Sequence, residues 1–218
     1  SGLWLREQAE LCGLNAWVSN STDQLCNVAL QGPKSRKMLE KLFWTSPAQP
    51  NMSELAWFRF SIARLKDFHG VPCVISRTGY SGELGYEIFC HPKDAEEIFH
   101  SLWECGAEFG LKLLGLEALN LLRVEAGLIF AGHEFTDQVN PFEAGIGFTV
   151  PLRTKTANFI GRKALEERKV NPQKVLVGLD IEGGTVPNRG DCVRVGKAQV
   201  GEITSAIRSP ILEKIIAL

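Results

Sequence analysis

A stretch with a glycine at every third position constrains this chain more than any other feature. It runs Arg77-Thr-Gly-Tyr-Ser-Gly-Glu-Leu-Gly-Tyr-Glu and ends at Glu87, with glycines at 79, 82 and 85. Apolar runs lie on both sides of it, a pattern typical of two strands joined by a shaped loop. Such glycines indicate either a positive φ or the close approach of another group. The sequence therefore predicts a rigid loop. Either it belongs to a long hairpin that carries polar side chains, or it holds a small ligand.

The rest of the chain alternates strands and helices with short connections, which favours an α+β layer over a doubly wound sheet. After about residue 175 the pattern changes to short β runs with the spacing of a small barrel. We therefore predict an antiparallel sheet with helices over residues 1–170 and the start of a C-terminal β-barrel over 171–218. The expected strands are 25–30, 57–65, 71–76 and 86–90, with β runs from 175, 192 and 199, and the expected helices are 1–13, one from Pro33, one from Pro92, 115–126 and 158–168.

Composition excludes several classes of function. The 218 residues carry a formal net charge of -1, and no Lys/Arg run reaches five residues, so neither nucleic acid nor an anionic membrane is an expected partner. No apolar stretch approaches the roughly 18 residues of a membrane span. The six cysteines form no C-x-x-C pair and have no histidine at metal spacing. That pattern favours reduced thiols in an intracellular protein, with no bound metal.

Four stretches, in order, resemble the glycine-cleavage T-protein (aminomethyltransferase) family, which binds folate. The glycine-rich stretch ending at Glu87 resembles the central signature of that family. The other three begin at Val28 (Val-Ala-Leu-Gln-Gly-Pro-Lys), Leu121 (Leu-Leu-Arg-Val-Glu-Ala-Gly-Leu) and Asn140 (Asn-Pro-Phe-Glu-Ala-Gly-Ile-Gly-Phe-Thr-Val). The resemblance covers roughly residues 25–215 and implies an internal portion, without the family's N-terminal third and C-terminal end.

The resemblance implies a tetrahydrofolate-dependent aminomethyltransferase, with tetrahydrofolate as co-substrate and no metal. Such an enzyme moves a one-carbon unit from an aminomethyl donor, carried on a lipoyl protein, to tetrahydrofolate and releases ammonia. Two alternatives stay open: a folate-binding domain of an amine-demethylating oxidase or demethylase, and a non-catalytic folate-binding regulator. The expected location is the cytoplasm, or the mitochondrial matrix in a eukaryote. The family's catalytic aspartate is expected to lie outside this chain, so the chain alone is expected to be inactive.

Three residues are candidates for the folate or substrate site. A carboxylate accepts two hydrogen bonds at once from the amino-pyrimidine edge of a pterin, and the family places a folate-binding glutamate at Glu87. The family also places a substrate-binding arginine at Arg123, which otherwise reads as an arginine that extends its charge to solvent. Tyr80 is expected to pack against or hydrogen-bond the ligand. His133-Glu134 stands where the family usually has Asn-Asp, which leaves the subfamily open, and His133 is interpreted as structural.

Overall fold

The computed structural model describes residues 2–218, so the part of the first predicted helix that falls on Ser1 lies outside it. The chain divides into two compact units. The first contains residues 2–79 and 83–113. The second contains residues 114–218 together with 80–82, from the middle of the glycine-rich stretch.

The first unit is built on a five-stranded antiparallel sheet with the order β1-β5-β4-β3-β2. Three helices accompany it, and α2 and α3 pack together on one of its faces. The strands are β1 (Cys26–Gln31), β2 (Phe43–Thr45), β3 (Phe60–Leu65), β4 (Pro72–Ser76) and β5 (Gly85–Cys90), and the helices are α1 (Gly2–Leu11), α2 (Ser35–Leu42) and α3 (Ala95–Gly106).

Alternating side chains give this sheet one buried and one open face. Ile75, Tyr86 and Ile88 are fully buried against the helices, as the period of two in a strand requires. Residues between them on the same strands face the other way. On that face Phe60 is 60% exposed and Ile62 is 53% exposed, and the half-buried Glu87 lies on the same face. The candidate folate carboxylate therefore lies on the side of the sheet that α2 and α3 leave open.

The second unit has less regular structure. Helix α4 (Leu116–Glu125) packs on strands β9 and β10 around a small core of Val124, Ile207 and Ile216. These two strands form a three-stranded sheet with β6, and β7 and β8 form a separate hairpin. The remaining elements are α5 (Arg162–Val170), β6 (Leu179–Ile181), β7 (Cys192–Val195), β8 (Ala198–Glu202), β9 (Ala206–Arg208) and β10 (Ile215–Ala217).

The predicted fold class, helices with an antiparallel sheet followed by short β strands, is confirmed. In helix α4, Leu116 is 85% exposed, whereas Arg123 and Val124 are buried. The run from Val175 forms a strand only at Leu179–Ile181. The domain boundary near residue 170 stays a prediction.

Among the helices of residues 2–218, none has both the length and the apolar character that crossing a membrane requires. Within the same range, no group of three or more histidine, cysteine or carboxylate side chains is arranged to hold a metal ion.

Three thiols lie side by side across the first sheet. Cys26 on β1 is directly opposite Cys90 on β5, and the register of β4 with β5 continues to place Cys73 beside Cys90 on the other side. Cys73 and Cys90 are buried, while Cys26 is partly exposed, and all three are free thiols. Burial raises the pKa of Cys73 to about 12 and also raises the pKa of Cys90. Of the three, Cys26 is therefore the thiol that a reagent from solvent reaches first.

We expect a small disulfide such as oxidised glutathione to convert Cys26 and Cys90 to a cross-strand disulfide, because opposed Cα atoms in antiparallel strands lie ~4.5–5.5 Å apart, within disulfide reach. The thiolate of Cys26 attacks one sulfur of oxidised glutathione, which breaks its S–S bond and releases one glutathione thiol. The thiolate of Cys90 then attacks the Cys26 sulfur of this mixed disulfide and releases the second glutathione thiol. Mass spectrometry should find the loss of two hydrogens and the linked Cys26–Cys90 peptide.

The Cys73→Ser variant should form the same link, and Cys26→Ser should not form it. A link between Cys73 and Cys90 in the unaltered protein would contradict the expected order of reactivity.

Candidate functional site

Glu87 lies on β5, between β1 and β4, and neutral groups on both sides hold its carboxylate. Asn27 Nδ2 donates to Glu87 Oε1 at 2.8 Å, and the Thr78 hydroxyl donates to Oε2. Strand register brings these groups together, since Glu87 pairs with Ala29 on β1 and with Ser76 on β4. None of the ion pairs within residues 2–218 includes Glu87. Each carboxylate oxygen accepts more than one hydrogen bond, so Glu87 keeps capacity to accept donors from a ligand.

The glycine-rich stretch before Glu87 is shaped by the side chain of Gln31. A Cβ added at Gly79 would lie 2.0 Å from Gln31 Oε1, and one added at Gly85 would lie 1.9 Å from the same atom. Gln31 Nε2 donates to the carbonyl oxygens of Thr78 at 3.4 Å and Tyr86 at 3.3 Å. Because Gly79 and Gly85 have no side chain, the Gln31 amide fits between the two ends of the loop.

Gly82 differs from the other two glycines in its backbone conformation. Its φ of +77° lies in the left-handed region, and an added Cβ would lie 2.5 Å from the Cβ of Ala126 at the end of α4. Of the three glycines, only Gly82 has a positive φ. Both of the reasons that the sequence suggested for these glycines are thus present: close approach at all three positions and a positive φ at Gly82.

Arg123 is almost fully buried in the second unit, with 1% of its surface exposed. Its guanidinium donates from Nη1 to Glu134 Oε2 at 2.8 Å and from Nη2 to Ser205 Oγ at 2.7 Å. It also donates from Nε to Asn120 Oδ1 and from Nη1 to the Leu128 carbonyl. These bonds use four of the five N–H groups of an arginine. Bidentate hydrogen bonding of Arg123 to a ligand would therefore require breaking one of these bonds. The role of Arg123 in ligand binding stays a prediction.

Glu134 is the residue whose role the sequence did not reveal. Besides Arg123, it accepts from the Phe130 amide at 2.7 Å, from Ser205 Oγ at 2.5 Å and from Thr204 Oγ1 at 3.1 Å. Burial alone would raise the pKa of the Glu134 carboxyl, but the hydrogen bonds and the Arg123 charge hold that pKa below its usual value. Glu134 is therefore a fixed anion, unsuited to proton exchange near neutral pH. Nothing in the sequence places Ser205 beside it.

Tyr80 and Arg123 lie on the same aromatic ring, that of Phe130. The Tyr80 ring centroid is 6.4 Å from the Phe130 ring centroid, and the Arg123 guanidinium carbon is 5.7 Å from the Phe130 ring centroid. The Tyr80 hydroxyl donates to the Ile129 carbonyl at 2.5 Å, and burial raises the pKa of the phenol. His133 packs 5.2 Å from Phe130, with Nδ1 3.4 Å from Ser205 Oγ. Two of the three predicted site residues thus come together here, while Glu87 belongs to the first unit.

Comparison with known proteins agrees with this fold. The model of the GCVT N-terminal domain matches residues 2–154, and that of the glycine cleavage T-protein C-terminal barrel domain matches residues 174–218. A crystal structure of glycine cleavage system aminomethyltransferase T from Bartonella henselae superposes with a TM-score of 0.77 at 24% identity, over 99% of this chain and 55% of that one. The fold is thus that of an aminomethyltransferase T. By its sequence the chain belongs to the glycine cleavage T-protein family.

Its relatives within this family differ in activity. The chain is 58% identical to the trimethylamine-oxide aldolase of Ruegeria pomeroyi over 217 residues, which is 100% of this chain and 28% of that protein. It is 40% identical to an aminomethyltransferase of Bacillus cereus (strain B4264) over 206 residues, which is 94% of this chain and 54% of that protein. The chain therefore spans about a quarter of one relative and about half of the other.

We expect Glu134→Gln to lower the free energy of unfolding by about 3 kcal/mol or more, because it leaves Arg123 buried without a countercharge. Chemical denaturation measures this change. Glu166→Gln is the matched control, since it breaks the exposed Arg162–Glu166 pair of α5 and should cost less than about 1 kcal/mol.

The same pair predicts a dependence on pH. Since the folded pKa of Glu134 is lowered, its contribution is complete above the ordinary glutamate pKa of ~4.3 and is lost as the pH falls through the folded value. Stability should therefore fall less steeply below about pH 4 in Glu134→Gln than in the unaltered protein. Equal slopes would show that Glu134 is not the anion described here.

Proposed function

We propose that this chain is a tetrahydrofolate-binding domain in which Glu87 binds the amino-pyrimidine edge of the pterin. The observation that carries the proposal is the state of the Glu87 carboxylate, which two neutral donors hold and which no cation of residues 2–218 neutralises. The pterin edge presents an exocyclic amino group beside a ring N–H, and one carboxylate accepts both. The family supports folate as the ligand, and the open face of the sheet supports access to Glu87.

The work of the domain, on this proposal, is binding and orientation. Tetrahydrofolate supplies the nitrogens that take up a one-carbon unit. Glu87 fixes one end of the pterin, so that these nitrogens face the incoming carbon at a defined distance. The role of Tyr80 in ligand binding stays a prediction. We further propose that Arg123 acts chiefly by holding Phe130 and Glu134 in place.

We propose formaldehyde, released by cleavage of a methylated amine oxide, as the source of the one-carbon unit. The 58% identity across the whole chain to a trimethylamine-oxide aldolase supports this source. Trimethylamine oxide has the atoms of dimethylamine plus formaldehyde: as a C–N bond breaks, the methyl carbon is oxidised and the N–O bond is reduced. Condensation of formaldehyde with tetrahydrofolate then releases water. The domain would thus capture a reactive aldehyde produced by another part of the full-length protein.

Aminomethyl transfer is the second candidate. The 40% identity to an aminomethyltransferase favours it, and it would require an aminomethyl-lipoyl carrier protein as partner and release ammonia instead of water. The two candidates share the Glu87 site and differ only in the donor. Dimethylamine and ammonia therefore distinguish them as products.

We expect Glu87→Ala and Glu87→Gln to weaken tetrahydrofolate binding by about tenfold or more, because hydrogen bonds to a charged group contribute ~1.5–3 kcal/mol. Isothermal titration calorimetry measures the affinity. Glu104→Ala, on the exposed side of α3, is the control and should bind as the unaltered protein does. Unchanged affinity in both Glu87 variants would remove the proposed site.

In the full-length protein, we expect trimethylamine oxide and tetrahydrofolate to give dimethylamine and 5,10-methylenetetrahydrofolate. Glu87→Ala should leave the rate of dimethylamine formation unchanged while free formaldehyde accumulates, because capture is lost and cleavage is not. Ammonia release from an aminomethyl donor, without any dimethylamine from the amine oxide, would favour the second candidate instead.

A further inference from the structure

The Glu87 carboxylate is supported from both neighbouring strands, one oxygen by each. Asn27 lies on β1, and its amide nitrogen is 2.8 Å from Oε1. Thr78 follows the end of β4, and its hydroxyl donates to Oε2. A glutamate side chain has three rotatable bonds and in water occupies many rotamers. With one donor on each oxygen, its carboxylate plane is fixed before any ligand arrives.

The two donors are themselves held in place. The Ser76 hydroxyl lies 2.6 Å from the Thr78 hydroxyl, so Thr78 takes part in a chain of hydrogen bonds that runs from Ser76 to Glu87. The Thr78 carbonyl accepts from Gln31 Nε2 at 3.4 Å. Asn27 is placed by the β1–β5 pairing, in which it is directly opposite Phe89, the second residue after Glu87 on the same face. The orientation of Glu87 therefore follows from strand register and loop shape.

Both donors are neutral, which decides what Glu87 can bind. A lysine or arginine in their place would satisfy the carboxylate and compete with a ligand for its charge. An amide and a hydroxyl hold it without cancelling that charge. The carboxylate thus stays an acceptor for two parallel N–H groups, such as those on the amino-pyrimidine edge of a pterin.

We propose that Asn27 and Thr78 are positioning residues that orient Glu87 and so set the preference of this domain for ligands with paired N–H donors. This proposal rests on the proposed function, because it takes Glu87 as the pterin-binding group. Preorganisation of this kind strengthens binding, because the Glu87 side chain loses little conformational freedom when the ligand binds. Its effect is specific to the ligand edge that Glu87 contacts.

The test compares two ligands on single variants. Tetrahydrofolate and its analogue without the exocyclic amino group are titrated against the unaltered protein, Asn27→Ala and Thr78→Val. We expect each variant to weaken tetrahydrofolate binding about tenfold, the loss of about one well-placed hydrogen bond. The analogue, which cannot use both carboxylate oxygens, should lose less than about threefold. The ratio of the two affinities should therefore fall in each variant.

Conservative and remote variants complete the test. Thr78→Ser keeps the hydroxyl and should restore the ratio, while Asn20→Ala removes an exposed amide outside the sheet and should leave it unchanged. Circular dichroism and unfolding measurements establish that each variant is folded. An equal loss for both ligands, or no loss for either, would overturn the positioning role.

A failure of the proposed function would look different. If Glu87→Ala still weakens tetrahydrofolate binding while Asn27→Ala and Thr78→Val do not, the positioning role is wrong and the folate site stands. If Glu87→Ala has no effect either, the folate site itself is wrong.

Discussion

The second unit depends on a single buried ion pair between Arg123 and Glu134. A guanidinium with 1% of its surface exposed requires both a countercharge and hydrogen-bond acceptors, because an unpaired buried charge is strongly destabilising. Glu134 supplies the charge, and Ser205 bridges the two side chains. The pair thereby joins α4 to the segment around Phe130 and to the chain just before β9. Tyr80 and His133 both pack on Phe130, whose amide Glu134 holds.

Some of this fold is predictable from local pattern, and the rest depends on distant partners. Strands β4 and β5 were predicted because apolar runs and glycines mark them. Strand β2 was not, because its three residues, Phe43–Thr45, are defined by pairing with β3. The burial of Arg123 in α4 was not predicted either, for a similar reason. Arg123 is buried because Glu134 and Ser205 lie beside it. The spacing of apolar residues along the helix does not indicate such distant partners.

In the glycine-rich stretch, too, local pattern predicts one part of the structure and distant residues determine the rest. Spacing alone identified three positions where a side chain would not fit, and it left two reasons open. Positive φ applies at Gly82 alone, whereas close approach applies at all three, to Ala126 at Gly82 and to Gln31 at Gly79 and Gly85. Gln31 is 54 residues before Gly85 in the sequence but directly opposite it in the sheet. Strand register, which one sequence does not reveal, connects the loop to the residue that shapes it.

Two glutamates illustrate how the partner decides the role of a side chain. Glu134 follows His133 in the sequence, but Arg123 and the nearby hydroxyls hold its carboxylate as a fixed anion, and its lowered pKa removes it from acid–base work near neutral pH. In the part of the chain that the structure describes, the Glu87 carboxylate is bound only by an amide and a hydroxyl. Because neutral donors orient a carboxylate without neutralising it, Glu87 is the one of the two whose charge remains available to a ligand. Among residues 2–218, Glu87 is thus the carboxylate of the two that the fold leaves without a cation.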